Sequence, residues 1–278
     1  MIISIASGKG GTGKTTVAAN LAVSLKTPVR LLDCDVEEPN LHLFLPPEKS
    51  ETEKIKTLIP EIPEDKCTFC GKCETLCQFK AIAIIAGTAA MTFPELCHSC
   101  GGCFKVCPED AILESYRELG TITRGNNQDI ELVYGRLRVG EAMAPPLIKK
   151  VKSNAPLDSV NIVDSPPGTS CPVIASISDS DFVILVTEPT PFGLHDLKLA
   201  VGAVQMLHLP FGLVINRSDI GNQDVKDYAA SIGMPVLMEI PFDRQIAEAT
   251  TNGKLMAREL PGYREKFLEI FEQIDEIV

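Results

Sequence analysis

A chain of 278 residues with 45% hydrophobic and 23% charged side chains holds enough apolar material for one large or two smaller domains, which excludes disordered, collagenous and coiled-coil proteins. Its formal net charge of −11 disfavours non-specific attraction to nucleic acid or to an anionic membrane surface. The longest apolar runs, such as residues 182–186, fall far short of the roughly 20 residues that span a bilayer, and Met1 leads into Ile2–Ala6 without a basic leader; the expectation is a cytoplasmic protein with no nucleic-acid partner and no stable membrane anchor.

Ile2–Ala6 reads as a buried strand, residues 8–13 as a glycine-rich loop, and Val17, Leu21 and Leu25 recur at helical spacing. Within this strand, loop and helix, Gly8-Lys9-Gly10-Gly11-Thr12-Gly13-Lys14-Thr15 fits the phosphate-binding pattern GxxxxGK followed by Ser or Thr, and Thr16 continues it. Such a loop turns through positive φ and aims backbone N–H groups at phosphate oxygens beside a helix N-terminus. Lys14 would lie along the β- and γ-phosphates and Thr15 would bind Mg2+, so ATP with Mg2+ is the expected ligand.

Val29–Asp33 is a second buried-type strand, followed by Cys34 and Asp35. After a long gap the apolar pattern resumes in Val160–Asp164, Phe182–Thr187, Phe211–Asn216 and residues 235–240, separated by helical stretches at 194–207 and 223–232. This alternation predicts an α/β fold, a mostly parallel sheet with helices on both faces, with sites at the carboxyl ends of the strands. At such ends stand Asp35, Asp164 running into Ser165-Pro166-Pro167-Gly168, Asn216, and Pro241-Phe242-Asp243; each is also a residue type that simply caps a helix or makes a turn. Residues 121–140 read as a hairpin turning near Gly125-Asn126-Asn127, with 147–151 in a following helix. In the last stretch, 261–278, two basic side chains face five acidic ones, and Phe267, Ile270, Phe271 and Ile274 form a core-facing stripe rather than a membrane-binding one.

Between these halves, residues 60–115 hold eight of the ten cysteines, which predicts an inserted domain, with 1–59 and 116–278 forming one discontinuous domain around it. Cys67, Cys70, Cys73 and Cys77 make CxxCxxCxxxC, and Cys97, Cys100, Cys103 and Cys107 repeat it before Pro108. In this pattern three thiolates hold one iron–sulfur cube and the fourth reaches the other. The expected ligand sets for two 4Fe–4S clusters are therefore Cys67, Cys70, Cys73 and Cys107 for the first, and Cys77, Cys97, Cys100 and Cys103 for the second. Zinc is the competing metal, although zinc ribbons pair two CxxC knuckles across a longer loop. Gln78 stands where the second repeat has Pro108, so the turn there could shift. His98, between two ligands, reads as a residue that tunes the second cluster. Cys34 and Cys171 lie outside the pattern, and a lone cysteine in an α/β core is commonly a small buried hydrophobe.

With a second lysine at Lys9, the loop resembles the deviant phosphate loop KGGTGKT of the MinD, ParA and nitrogenase iron protein ATPases, and the cysteine segment resembles a bacterial two-cluster ferredoxin. The whole chain resembles MinD-superfamily ATPases containing an inserted ferredoxin domain. That resemblance implies a P-loop ATPase, slow without a partner, acting as a homodimer or as a heterodimer with a paralogue. By it Lys9 reaches the nucleotide of the other subunit, Asp35 positions the attacking water, Thr15 and Asp164 hold Mg2+, Asp164 through water, and Asn216 with Pro241, Phe242 and Asp243 contact adenine. Cys171 stands at the offset from Asp164 at which the nitrogenase iron protein carries a cluster cysteine. The implied role is electron transfer or metallocofactor maturation with a redox or cofactor-assembly partner. Two alternatives stay open: a Mrp-type iron–sulfur carrier, whose CxxC pair near the C-terminus has no counterpart after Cys171, and a MinD-like spatial regulator with a redox-sensing insert.

Overall fold

The computed structural model describes residues 1–156 and 158–278. Two compact units share the chain, one taking Met1–Thr52, Ile122–Arg136 and Ala144–Val278, the other Glu53–Thr121 and Leu137–Met143. In chain order the strands are β1 (Ile2–Ala6), β2 (Val29–Asp33), β3 (Lys49–Glu61), β4 (Ile82–Ile85), β5 (Ala89–Thr92), β6 (Leu113–Asn127), β7 (Ile130–Leu137), β8 (Val160–Asp164), β9 (Phe182–Thr187), β10 (Phe211–Asn216) and β11 (Val236–Ile240). The described residues form one sheet in the order β11-β10-β9-β1-β8-β2-β7-β6-β3 and a separate β4–β5 pair.

In the first unit β1 lies between β8 and β9, β10 lies between β9 and β11, and β2 pairs with β8 and β7, all in parallel. Alternate side chains bury opposite faces of these strands: Phe182, Ile184 and Val186 join one apolar cluster, Val183 and Leu185 the other. Full burial of side chains such as Ile3 or Phe182 contributes about 1.5–3 kcal/mol each. One cluster is closed by the helices Lys14–Ser24 and Tyr263–Ile277, the latter through buried Phe267, Ile270 and Ile274 as its stripe predicts. Buried Asn20 ties the first of these helices to the chain before the last, its Oδ1 accepting from the Ala257 amide at 2.8 Å. The parallel strands bring their carboxyl ends to one edge, where Ser7, Cys34, Ser165, Glu188, Arg217 and Pro241 follow them.

The second unit is small. Its antiparallel β4–β5 pair and two short helices, Lys72–Leu76 and Gly102–Val106, surround the buried side chains of Ile62, Cys73, Ile82 and Ile112. The two halves repeat at a thirty-residue offset: Gly71 and Gly101 precede the helices at φ 71° and 72°, Phe69 and Ser99 sit at 54° and 56°, Lys80 and Asp110 at 55° and 45°. The turn after Cys77 thus keeps the conformation of its partner despite Gln78.

Three local expectations are corrected. The hairpin turns at Gln128-Asp129, with Gln128 at φ 54°, while Gly125 to Asn127 remain in β6. The helix predicted at 147–151 is longer, Ala144–Lys152. The unit that contains 60–115 also takes 53–59 and 116–121, because β3 and β6 continue through the expected boundaries as unbroken strands, and it takes 137–143 at and after the end of β7. Among the described residues no helix is long and apolar enough to cross a membrane.

Candidate functional site

The loop after β1 delivers the residues expected to bind phosphate to the strand edge. Gly13, at φ 100°, opens the helix Lys14–Ser24, and its bare Cα is required: a Cβ there would lie 2.6 Å from Asn216 Nδ2, which donates to the Thr12 carbonyl at 2.8 Å. Lys14 is 7% exposed, and burial lowers its pKa while Asp164 and Asp35 act to raise it. The Thr15 hydroxyl donates to Asp164 Oδ2 at 2.6 Å, and Asp164 Oδ1 is buried without a hydrogen-bond partner. Burial raises Asp164 to about 7 and Asp35 to about 6. A buried carboxylate with an uncommitted oxygen next to a threonine hydroxyl forms a hard-oxygen donor set that fits Mg2+.

A cleft of about 490 Å³ runs from this loop to the far end of the sheet and is lined by Gly10, Gly11, Gly13, Lys14, Thr15, Thr16, Asp35, Asn216, Pro241, Phe242 and Asp243. Most of the residues expected to touch phosphate and adenine, with Thr15 for the metal, thus share one cavity, while Asp164 and Lys9 do not line it. Gly8 and Thr12 lie outside it: Gly8 packs on the main chain of Asp196, and Thr12 is buried. Lys9 pairs with Glu188 of its own chain at 3.5 Å, and Arg217 reaches the same carboxylate at 2.8 Å.

Sequence reasoning missed two acidic residues here. Asp33 is fully buried and accepts from the amides of Asp35, Asn40 and Leu41 at 3.1, 2.9 and 3.0 Å, so it braces the loop that carries Asp35; burial and the neighbouring Asp164 push it well above the carboxylate range. Glu188 follows β9, and the strand-end rule that singled out Asp164 also points to it. Arg217, one residue beyond Asn216, and Ile246 and Met256 complete the cleft.

In the second unit, Cys67, Cys70, Cys73 and Cys107 line one cavity together with Ile62, Ile84 and Ile112. Cys77, Cys97, Cys100 and Cys103 line another, which Cys73 also borders and which Phe79, His98 and Leu58 wall. Backbone amides point at four of the sulfurs: Phe69 at Cys67 and Ala81 at Cys77 at 3.3 Å, Ser99 at Cys97 and Ala111 at Cys107 at 3.4 Å. Apolar walls, four or more cysteines per cavity and N–H donors to thiolate fit cluster binding. Among the described residues no three His, Cys, Asp or Glu side chains gather closely enough to hold a single metal ion by themselves. His98 stacks on Phe79 with centroids 3.5 Å apart. Of the remaining cysteines, Cys34 is a buried small side chain as expected, its thiol pushed far up by burial, whereas Cys171 is exposed and the buried-hydrophobe reading fails for it.

A family model described as the CobQ/CobB/MinD/ParA nucleotide binding domain matches residues 3–256. An uncharacterised protein of Methanocaldococcus jannaschii is 32% identical over 283 residues, covering 100% of this chain and 98% of that protein. An iron–sulfur cluster carrier protein of Aquifex aeolicus is 26% identical, over 100% of this chain and 68% of its own length. In fold, the structure resembles the septum site-determining protein MinD of Pyrococcus horikoshii, solved with Mg-ADP, with a TM-score of 0.61 at 23% identity over 99% of this chain and 96% of that one.

Proposed function

The chain belongs to the CobQ/CobB/MinD/ParA family of P-loop ATPases, and on that premise we propose that it is an iron–sulfur ATPase whose nucleotide-dependent dimer switch governs electron transfer or metallocofactor maturation with a protein partner. One observation carries this reading: a single chain holds both a phosphate loop with converging aspartates and two four-sulfur cavities built by an internal repeat.

In this reading the amides of Gly10 to Gly13 cradle the phosphates and Lys14 neutralises their charge. Thr15 and Asp164 hold Mg2+, Asp35 orients the attacking water, and Lys9 leaves Glu188 to reach the nucleotide of a second subunit. Asn216 and the 241–243 loop border the base. Cys67, Cys70, Cys73 and Cys107 would hold one 4Fe–4S cluster and Cys77, Cys97, Cys100 and Cys103 the other; when bound, these supply one-electron storage whose potential the amide contacts tune.

An anaerobic reconstitution followed by iron and sulfide analysis and an EPR redox titration tests this, with and without Mg-ATP, beside Lys14→Ala. The expected result is about eight iron atoms per chain and an ATP-dependent change in reducibility that Lys14→Ala abolishes. Coincident titrations with and without ATP would overturn the coupling. A second reading, cluster carrier, is favoured by the likeness to a carrier protein; it requires that reconstituted protein hand iron and sulfide to an apo-ferredoxin, and a failure of that transfer leaves the first reading alone.

A further inference from the structure

The two cysteine cavities share helices, left-handed turns and amide-to-sulfur contacts, but one feature has no counterpart in the repeat. Arg117, 9% exposed, donates to the main-chain carbonyl of Cys97 at 3.3 Å and to Glu141 Oε1 at 3.1 Å, and its other terminal nitrogen meets Glu141 Oε2. The Glu141 side chain is 1% exposed and also accepts from the Met143 amide at 3.1 Å. Arg138 lies 3.7 Å from Glu141 and pairs with Glu95 at 2.5 Å. Thirty residues before Arg117 stands Gly87. Around the first cavity the charged lining is Lys72 and Glu109, both exposed.

We propose that Arg117, held by Glu141, is a positioning residue that makes the two cluster sites electronically unequal, so that the site of Cys77, Cys97, Cys100 and Cys103 is the easier to reduce. This rests on the iron–sulfur reading. Reduction adds negative charge to a site, and a fixed positive charge nearby favours the reduced form. Of the buried pair it is the guanidinium that touches the Cys97 main chain, so its charge acts at shorter range than that of Glu141. Lys72 and Glu109 stand in water, where solvent and salt screen them. Glu141 supplies the compensation without which a buried guanidinium would be expensive.

The test is an anaerobic EPR redox titration of the reconstituted full chain as wild type, Arg117→Gln, Arg117→Lys and Glu141→Gln, with iron and sulfide measured on each sample. Wild type should show two separated midpoints. Arg117→Gln, which leaves Glu141 facing only Arg138 at 3.7 Å, should lower the upper midpoint; Glu141→Gln should raise it; the lower midpoint should stay, and Arg117→Lys should keep most of the separation. A purely structural pair would move both variants in the same direction. If wild type takes up no iron, the iron–sulfur reading itself falls. If iron content is normal and both midpoints move together, or neither moves, that reading stands and the inequality is wrong. Should Arg117→Gln fail to fold, Glu141→Gln decides, since it must raise the upper midpoint alone.

Discussion

Asp164 and Asp33 are register partners across the β2–β8 ladder, two buried acids side by side. Burial raises Asp164 to about 7, with the Thr15 hydroxyl and Lys14 opposing. A carboxyl raised in the folded state stabilises the protein below its unfolded pKa, and that stability is lost as pH climbs through the folded value. The nucleotide-free chain should therefore lose stability between about pH 4 and pH 7. Asp164→Asn should flatten this dependence, raising the melting temperature at pH 8 by roughly 5 °C and leaving it nearly unchanged at pH 4; thermal scans at the two pH values check it. If Asp164 holds Mg2+ as proposed, the same variant should weaken Mg-ATP binding at least about tenfold, because an amide replaces a carboxylate that balances the metal's charge. Lys9 poses a different question, since its partner Glu188 is only 11% exposed and holds it at 3.5 Å within its own chain. A partly exposed pair contributes up to about 1 kcal/mol. If Lys9 acts across a dimer, Glu188→Gln should strengthen ATP-dependent association up to about fivefold in sedimentation velocity; weaker association would mean that Glu188 serves the assembled site directly.

Among the elements, the phosphate loop makes the strictest conformational demand. Gly13→Ala places a methyl in a left-handed backbone and 2.6 Å from Asn216 Nδ2, displacing the contact that ties β10 to Thr12. It should cost about 1–3 kcal/mol in stability and abolish detectable nucleotide binding. Gly11→Ala is the control, because it shares the left-handed backbone at φ 77° but has nothing within 4 Å of an added Cβ; calorimetry on both separates backbone strain from crowding. The same loop was legible in the sequence because its glycines, lysine and threonine lie within a few residues, as do the cysteine repeats. The central strands were legible because each buries both faces and so reads as a continuous apolar run. β3 was not, since Lys49–Glu61 is mostly exposed and polar, and its extended state comes from pairing rather than from apolar pattern. The roles of Glu188, and of Arg117 with Glu141, depend on partners 179 and 24 residues away in the chain, which no local spacing encodes.

Taken whole, the chain joins a unit with a large apolar core to one whose buried apolar residues are few, Ile62, Cys73, Ile82 and Ile112 chief among them. So small a core stabilises little by itself, and in such a unit metal binding free energy becomes folding free energy. Each cavity, moreover, takes its fourth sulfur from the opposite half, Cys107 for the first and Cys77 for the second. If each cavity holds a cluster as proposed, loss of either should loosen both halves. Hydrogen exchange measures this directly: chelating iron from the reduced, reconstituted protein should speed amide exchange across 67–112 by orders of magnitude, while β1, β8 and the helix Lys14–Ser24 keep their protection. Cys100→Ser should open 67–82 as well as 97–112, although its own sulfur serves only the second cavity. Mg-ATP acts on the other unit, stabilising it by about 2.7 kcal/mol at one hundred times its dissociation constant, so its protection should centre on residues 8–16 and 33–41. If chelation instead unfolded the whole chain in a single step, the two units would be one cooperative body, and the nucleotide switch would have no independent part to move.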